Sequence, residues 1–223
     1  MRRSASCSAS TKRKIWTFRL SREFANGGHR TYVGGIDSEL WYGIGKHQYH
    51  YLVSQGLKPQ HRFLDIACGC LRLGQYLIPF LEEGHYFGLE GEESLVEAGL
   101  EHELLPAVVS LKKPKFSFNY DFDLDFVDTF DYAIAQSLFT HLTLDDIVKC
   151  FANLKPKANS NSTFYFTYFE GNSADNPKES HANLGWRYSV EELRGASEGA
   201  GWKMTNIGDW GHPRNQKIAI VRL

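Results

Sequence analysis

Downstream of residue 60, apolar or alternating segments take turns with segments of helical period, and few folds accept that order. Residues 63–67 form a short apolar strand. Residues 71–81 are helical, with Leu73, Leu77, Ile78 and Leu81 recurring at helical spacing. Residues 85–90 are a second strand and 94–104 a second helix. Residues 115–124 alternate as a third strand, and 130–137 are a buried fourth. In 140–156 the apolar residues Leu144, Ile147, Val148, Phe151 and Leu154 have helical spacing, and Thr143 with Asp146 resembles a capping box. Residues 162–169 are a fifth strand, rich in β-formers. Ser189 with Glu192 is a fuller capping box, opening a helix that stops near Gly199 or Gly201. Residues 202–209 and 216–223 close the chain as two strands joined by a turn. No repeat or low-complexity linker divides it. The expected fold is one α/β domain with a mostly parallel sheet and helices on both faces.

The chain has 223 residues, of which 42% are hydrophobic and 14% aromatic, so it can bury a core of its own. Residues 1–30 are expected to be a basic, flexible tail; a transit peptide is the alternative reading. Residues 31–223 form the single domain, with a helical extension over 31–60 that is broken at Gly43 and Gly45. A net charge of -1 argues against a general nucleic-acid surface. No apolar run is long enough to span a membrane. Cys7, Cys68, Cys70 and Cys150 include no C-x-x-C pair, so we expect free thiols in a reducing, cytoplasmic setting. His47 and His50 have helical spacing but no further ligands, and no metal site is expected.

In such a sheet a ligand lies beyond the carboxyl ends of the strands, at the switch point beside the first one. The first strand ends in Asp65, Ile66, Ala67, Cys68 and Gly69, where small residues allow a ligand to approach the backbone. The second ends in Glu90, an acid about 20 residues further on that suits a ribose diol. The third carries Asp121 and Asp123, either able to accept from an adenine amino group. These acids point to a ligand bearing a nucleoside.

The succession "FLDIACGCLRLG", "YFGLEGEE", "NYDFDL", "FDYAIAQSLFTHL" and "FYFTYF" resembles a class I S-adenosylmethionine-dependent methyltransferase over about residues 60–223. That family's loop usually reads acid-x-Gly-x-Gly-x-Gly; here Ala67 and Leu71 replace the first and third glycines, and Gly69 matches. The resemblance implies a Rossmann-like, seven-stranded sheet whose last strand inserts antiparallel, and S-adenosyl-L-methionine as cofactor. It implies that Asp65, Ala67 and Gly69 border the methionine part and that Glu90 holds the ribose. Asp121 would meet the adenine amino group, with the Phe122 backbone beside the ring, and Gln136 would lie near the sulfonium. Arg72 is a candidate partner for the cofactor's carboxylate, against the plainer reading of a solvated helix residue.

Methyl transfer needs a general base only where the acceptor keeps its proton at neutral pH. His141, Glu170 and His212 are the candidates, each with a plainer reading: a packed cap histidine, a loop acid and a turn residue. The turn "GDWGHPRNQ", residues 208–216, should project toward the acceptor, with Trp210 and Arg214 binding it. Trp41, Tyr42, Tyr49 and Tyr51 either cap the site or pack on the sheet, and residues 171–184 are either a lid or a surface loop. The acceptor itself is unidentified; the aromatic N-terminal region favours a small molecule. Two other classes stay open: a nicotinamide oxidoreductase, disfavoured by the missing G-x-G-x-x-G, and a non-catalytic nucleoside-binding module.

Overall fold

The computed structural model describes residues 28–223; the expected basic tail and Cys7 lie outside the described residues, apart from Gly28, His29 and Arg30 at the tail's end. A π-helical turn (Glu39–Gly43) runs directly into α1 (Ile44–Ser54). There follow β1 (Phe63–Ile66), α2 (Gly74–Phe80), β2 (Tyr86–Glu90), α3 (Glu93–His102), α4 (Pro106–Lys112), β3 (Lys115–Phe118) and β4 (Phe130–Ala135). The chain continues through α5 (Leu144–Leu154), β5 (Ala158–Glu170), β6 (Arg187–Tyr188), α6 (Val190–Gly199), β7 (Lys203–Gly208) and β8 (Lys217–Arg222).

The sheet order is β3-β2-β1-β4-β5-β8-β7, with the two-residue β6 paired to the end of β5. β8 lies antiparallel between β5 and β7, so β7 runs parallel to the first five strands. β1 and β2 are buried at every position, as strands covered on both faces must be. Alternate residues feed separate cores: Leu64, Phe164 and Phe166 join one apolar cluster, Phe63 and Tyr165 the other. No described helix is long and apolar enough to cross a membrane.

Local departures from the sequence reading have visible causes. Gly43 and Gly45 do not break the first helical region; residues 39–54 are continuous as a π-turn followed by an α-helix. β3 ends at Phe118, not near Leu124, because the Asn119 side chain accepts from the amides of Asp121 (3.1 Å) and Asp123 (2.9 Å) and turns the chain. α2 begins at Gly74, not Leu71, because Leu71 has φ 64 and cannot open a right-handed helix. The α4 helix follows α3 without a strand between them, and Pro106 at its first turn is its start signal. The box at Ser189 forms in full, with Glu192 reaching back to the Ser189 amide.

Candidate functional site

The turn after β1 is built from alternating left-handed residues. Ala67 has φ 57, Gly69 φ 56 and Leu71 φ 64. Only the middle one is the residue for which that conformation is free of steric penalty. Leu71 is fully buried, so packing holds it there. Glu90, 9% exposed at the end of β2, ties this turn to the next one. One carboxylate oxygen accepts from the Gly69 amide at 2.8 Å; the other accepts from Gly91 at 2.8 Å and Glu92 at 3.2 Å. A carboxylate offers about four lone-pair sites, so Glu90 keeps room for one further donor. Burial raises its pKa, against the three amides, which lower it.

Asp65 faces inward. It accepts from the Tyr86 hydroxyl at 2.8 Å, and burial pushes its carboxyl up to about 7. Asp121 is exposed and forms an ion pair with Lys149 on α5, while the neighbouring Phe122 packs into the core with φ 56. The thiols of Cys68, Cys70 and Cys150 are buried and form no disulfide; Cys70 donates to the His29 carbonyl at 3.4 Å, and burial pushes it up to about 12.

A second group gathers where β4 and the β7–β8 turn meet. Gln136 donates to Gln216 Oε1 at 2.9 Å and stands 3.3 Å from His212 Nε2. The His212 Nδ1 accepts from the Arg214 amide at 3.2 Å, and burial lowers the imidazole to about 4, so it is neutral at physiological pH. With Nδ1 occupied and its basicity depressed, His212 is a poor general base. Trp210 is buried, donates to the Gln216 carbonyl at 2.9 Å and packs against His47 and Tyr51; it braces the turn. His141 differs: its Nδ1 lies 2.6 Å from the Leu184 carbonyl, which fixes the proton on Nδ1 and leaves the Nε2 lone pair free to accept. Burial lowers its pKa too, with Arg214 and His181 adding repulsion. Glu170 is exposed at the end of β5. Residues 171–184 are pinned to the start of α5, with the His181 amide on the His141 carbonyl and Ser180 on Asp146.

The segment before α1 crosses the same end of the sheet, a placement that sequence reasoning missed. Val33 would lie 3.3 Å from a Cβ added at Gly69. Arg72 donates to the Val33 carbonyl and Arg214 to that of Gly34. Burial, with repulsion from Arg214, lowers Arg72 to about 10, so it remains a cation, and its Nε has no partner. Glu103 anchors the segment by accepting from Arg30 at 2.6 and 2.8 Å and from Trp41 at 3.2 Å. Trp41, Tyr49 and Tyr51 all pack against the body of the domain, while Tyr42 is partly exposed beside Arg30. Three buried polar atoms near the two turns lack a protein partner: Arg72 Nε, Gln136 Oε1 and His47 Nε2.

No family model matches the sequence, and no curated protein matches it. Solved structures do. A Clostridium acetobutylicum S-adenosylmethionine-dependent methyltransferase superposes with a TM-score of 0.64 at 13% identity, covering 92% of this chain and 99% of its own. Magnesium protoporphyrin IX methyltransferase from Synechocystis, solved with bound S-adenosylmethionine, gives 0.64 at 15% identity over 99% of this chain and 100% of its own. A candidate O-methyltransferase from Nostoc punctiforme gives 0.60 at 15% identity, with 84% of this chain and 61% of that one covered. The fold they share with this chain is that of the class I methyltransferases: a Rossmann-like sheet with one antiparallel strand inserted beside β5.

Proposed function

We propose that the protein is an S-adenosylmethionine-dependent methyltransferase acting on a small acceptor. The observation that carries the reading is Glu90, whose carboxylate locks the β1 and β2 turns and keeps one acceptor site for a ribose hydroxyl. The donor set fits the cofactor: Arg72, held on the Val33 carbonyl, offers an unpartnered Nε for a carboxylate, and Gln136 offers an unpartnered Oε1 near the carboxyl end of β4. When bound, the cofactor supplies an electrophilic methyl group whose leaving sulfur keeps the bonding electron pair. The chain's contribution is mainly to position the acceptor in line with that methyl. Where the acceptor is protic, His141 Nε2 takes the proton, since the Leu184 carbonyl holds Nδ1 protonated. We assign acceptor binding to Arg214, with Trp210 bracing the turn that carries it. Buried free thiols favour a reducing, cytoplasmic setting.

Calorimetric titration with S-adenosylhomocysteine and with NAD tests the cofactor. We expect saturable binding of the first alone. Incubating the protein with tritiated cofactor in a metabolite extract should then label a small product. Binding without any labelled product would favour a non-catalytic module, and no binding would remove the proposal.

A further inference from the structure

Beside the β7–β8 turn lies a cavity of about 270 Å³, lined by Phe169, Glu170, Arg187, Arg214, Asn215 and Lys217. Its size is near the lower end for small-ligand pockets. Its charge is lopsided, with three cations against the single exposed carboxylate of Glu170. Lys217 is partly engaged, 3.6 Å from Asp209 and donating to Asn215 at 3.1 Å. Arg187 sits 5.5 Å over the Phe169 ring and reaches only the Glu170 backbone carbonyl, at 3.4 Å. Arg214 donates to the carbonyl of Gly34. Among the described residues no carboxylate stands within ion-pair distance of Arg187 or Arg214.

Further in, the imbalance grows. Arg72 is close enough to Arg214 for the two to repel, and Arg214 also acts on His141 and His212. Like charges held together without a counter-ion oppose folding. Among the described residues no carboxylate is paired with Arg72 either. Arginine forks match carboxylate and phosphate oxygens with paired hydrogen bonds, which an ammonium cannot reproduce.

We infer that this cavity binds an anionic group of the methyl acceptor, a carboxylate or a phosphate, on Arg187, Arg214 and Lys217. The word acceptor rests on the methyltransferase reading; the anion site does not. Asn215 and Lys217 of the lining flank Gln216, which accepts from Gln136 just beyond the carboxyl end of β4, so the cavity adjoins that end of the sheet. The substrate class is therefore acidic small molecules.

The test titrates the full-length protein calorimetrically with sodium phosphate and with sodium acetate at constant ionic strength, with and without saturating S-adenosylhomocysteine. We expect at least one anion to bind saturably in both conditions, and binding to weaken at least tenfold in Arg187→Gln and in Arg214→Gln. Tighter phosphate assigns a phosphate, and tighter acetate a carboxylate. Because Arg214→Gln also frees Gly34, Arg187→Gln carries the test, and its S-adenosylhomocysteine affinity should stay within threefold of wild type. The inference is overturned if neither anion binds, or if both variants bind like wild type. It is also overturned if S-adenosylhomocysteine expels the anion, because the cations would then serve the cofactor's own carboxylate. Failure to bind S-adenosylhomocysteine counts against the methyltransferase reading, while the titration without it still judges the site.

Discussion

Replacing Glu90 by alanine should separate its two roles. In the fold, the carboxylate is the acceptor for the Gly69, Gly91 and Glu92 amides. Leaving a buried donor unsatisfied costs about 1–3 kcal/mol. Water can reach part of the site the side chain leaves, so a net loss of about 3 kcal/mol is reasonable for the three. For a domain of this size that lowers Tm by roughly 6–12 °C. In binding, the one open acceptor site on the charged Glu90 carboxylate would accept a single hydrogen bond from a ribose hydroxyl. Such a bond is worth about 1.5–3 kcal/mol, or roughly tenfold to a hundredfold in affinity. Calorimetry with S-adenosylhomocysteine below the variant's Tm measures the second effect, and thermal unfolding by circular dichroism the first. A folded variant that binds within threefold of wild type would refute the ribose assignment. An unchanged Tm would refute the claim that Glu90 locks the two turns.

Ala67→Gly should raise Tm by a degree or more, because alanine at φ 57 bears about 1 kcal/mol of steric cost that exceeds the entropy glycine adds to the unfolded chain; a lower Tm would show the turn is unstrained. Asp65→Asn should stabilise the protein at pH 8 and lose that advantage toward pH 4. The Asp65 carboxyl titrates at about 7 when folded and 3.8 when unfolded, so the native state binds more protons between them and wild-type stability falls as pH rises through that window, by up to roughly 4 kcal/mol; denaturation curves at several pH values check the sign. Burial alone would raise the Glu103 carboxyl, but its bonds from Arg30 and His29 prevail and hold it below 4.5. Its contribution is present at neutral pH and lost as pH falls through the folded pKa. Glu103→Gln should therefore speed proteolysis within residues 28–42 at pH 7, and no change in the digestion rate would contradict the anchoring.

The sheet was legible because its signals are local. Apolar runs at residues 63–66, 86–90 and 130–135 read as buried strands, and the Ser189 box announces its own helix. Asn119 was a weaker sign, since a polar residue in an alternating run can belong to a strand until its side chain is seen to take two amides. The crossing of residues 28–35 over the first turn was not legible. Its contacts, Arg72 to Val33, Arg214 to Gly34 and Arg30 to Glu103, join residues 39, 180 and 73 apart, and no periodicity encodes such pairs.

The loop after β1 differs from the acid-x-Gly-x-Gly-x-Gly pattern it resembles at two of the three glycine positions. The left-handed conformation falls at residues 67, 69 and 71, at alternate positions, although glycine occupies only the middle one. A side chain at 69 would meet Val33 at 3.3 Å, a tight contact, so there crowding adds to the preference for glycine that φ sets. At 71 the side chain is buried among the apolar residues of α2, and packing offsets the strain. At 67 the penalty is smallest, because alanine adds a single methyl. Glycine thus stands where another segment crosses the backbone, and a larger residue where its side chain can pack. What the turn needs is the backbone path that brings the Gly69 amide to Glu90; the glycines are one means of reaching it.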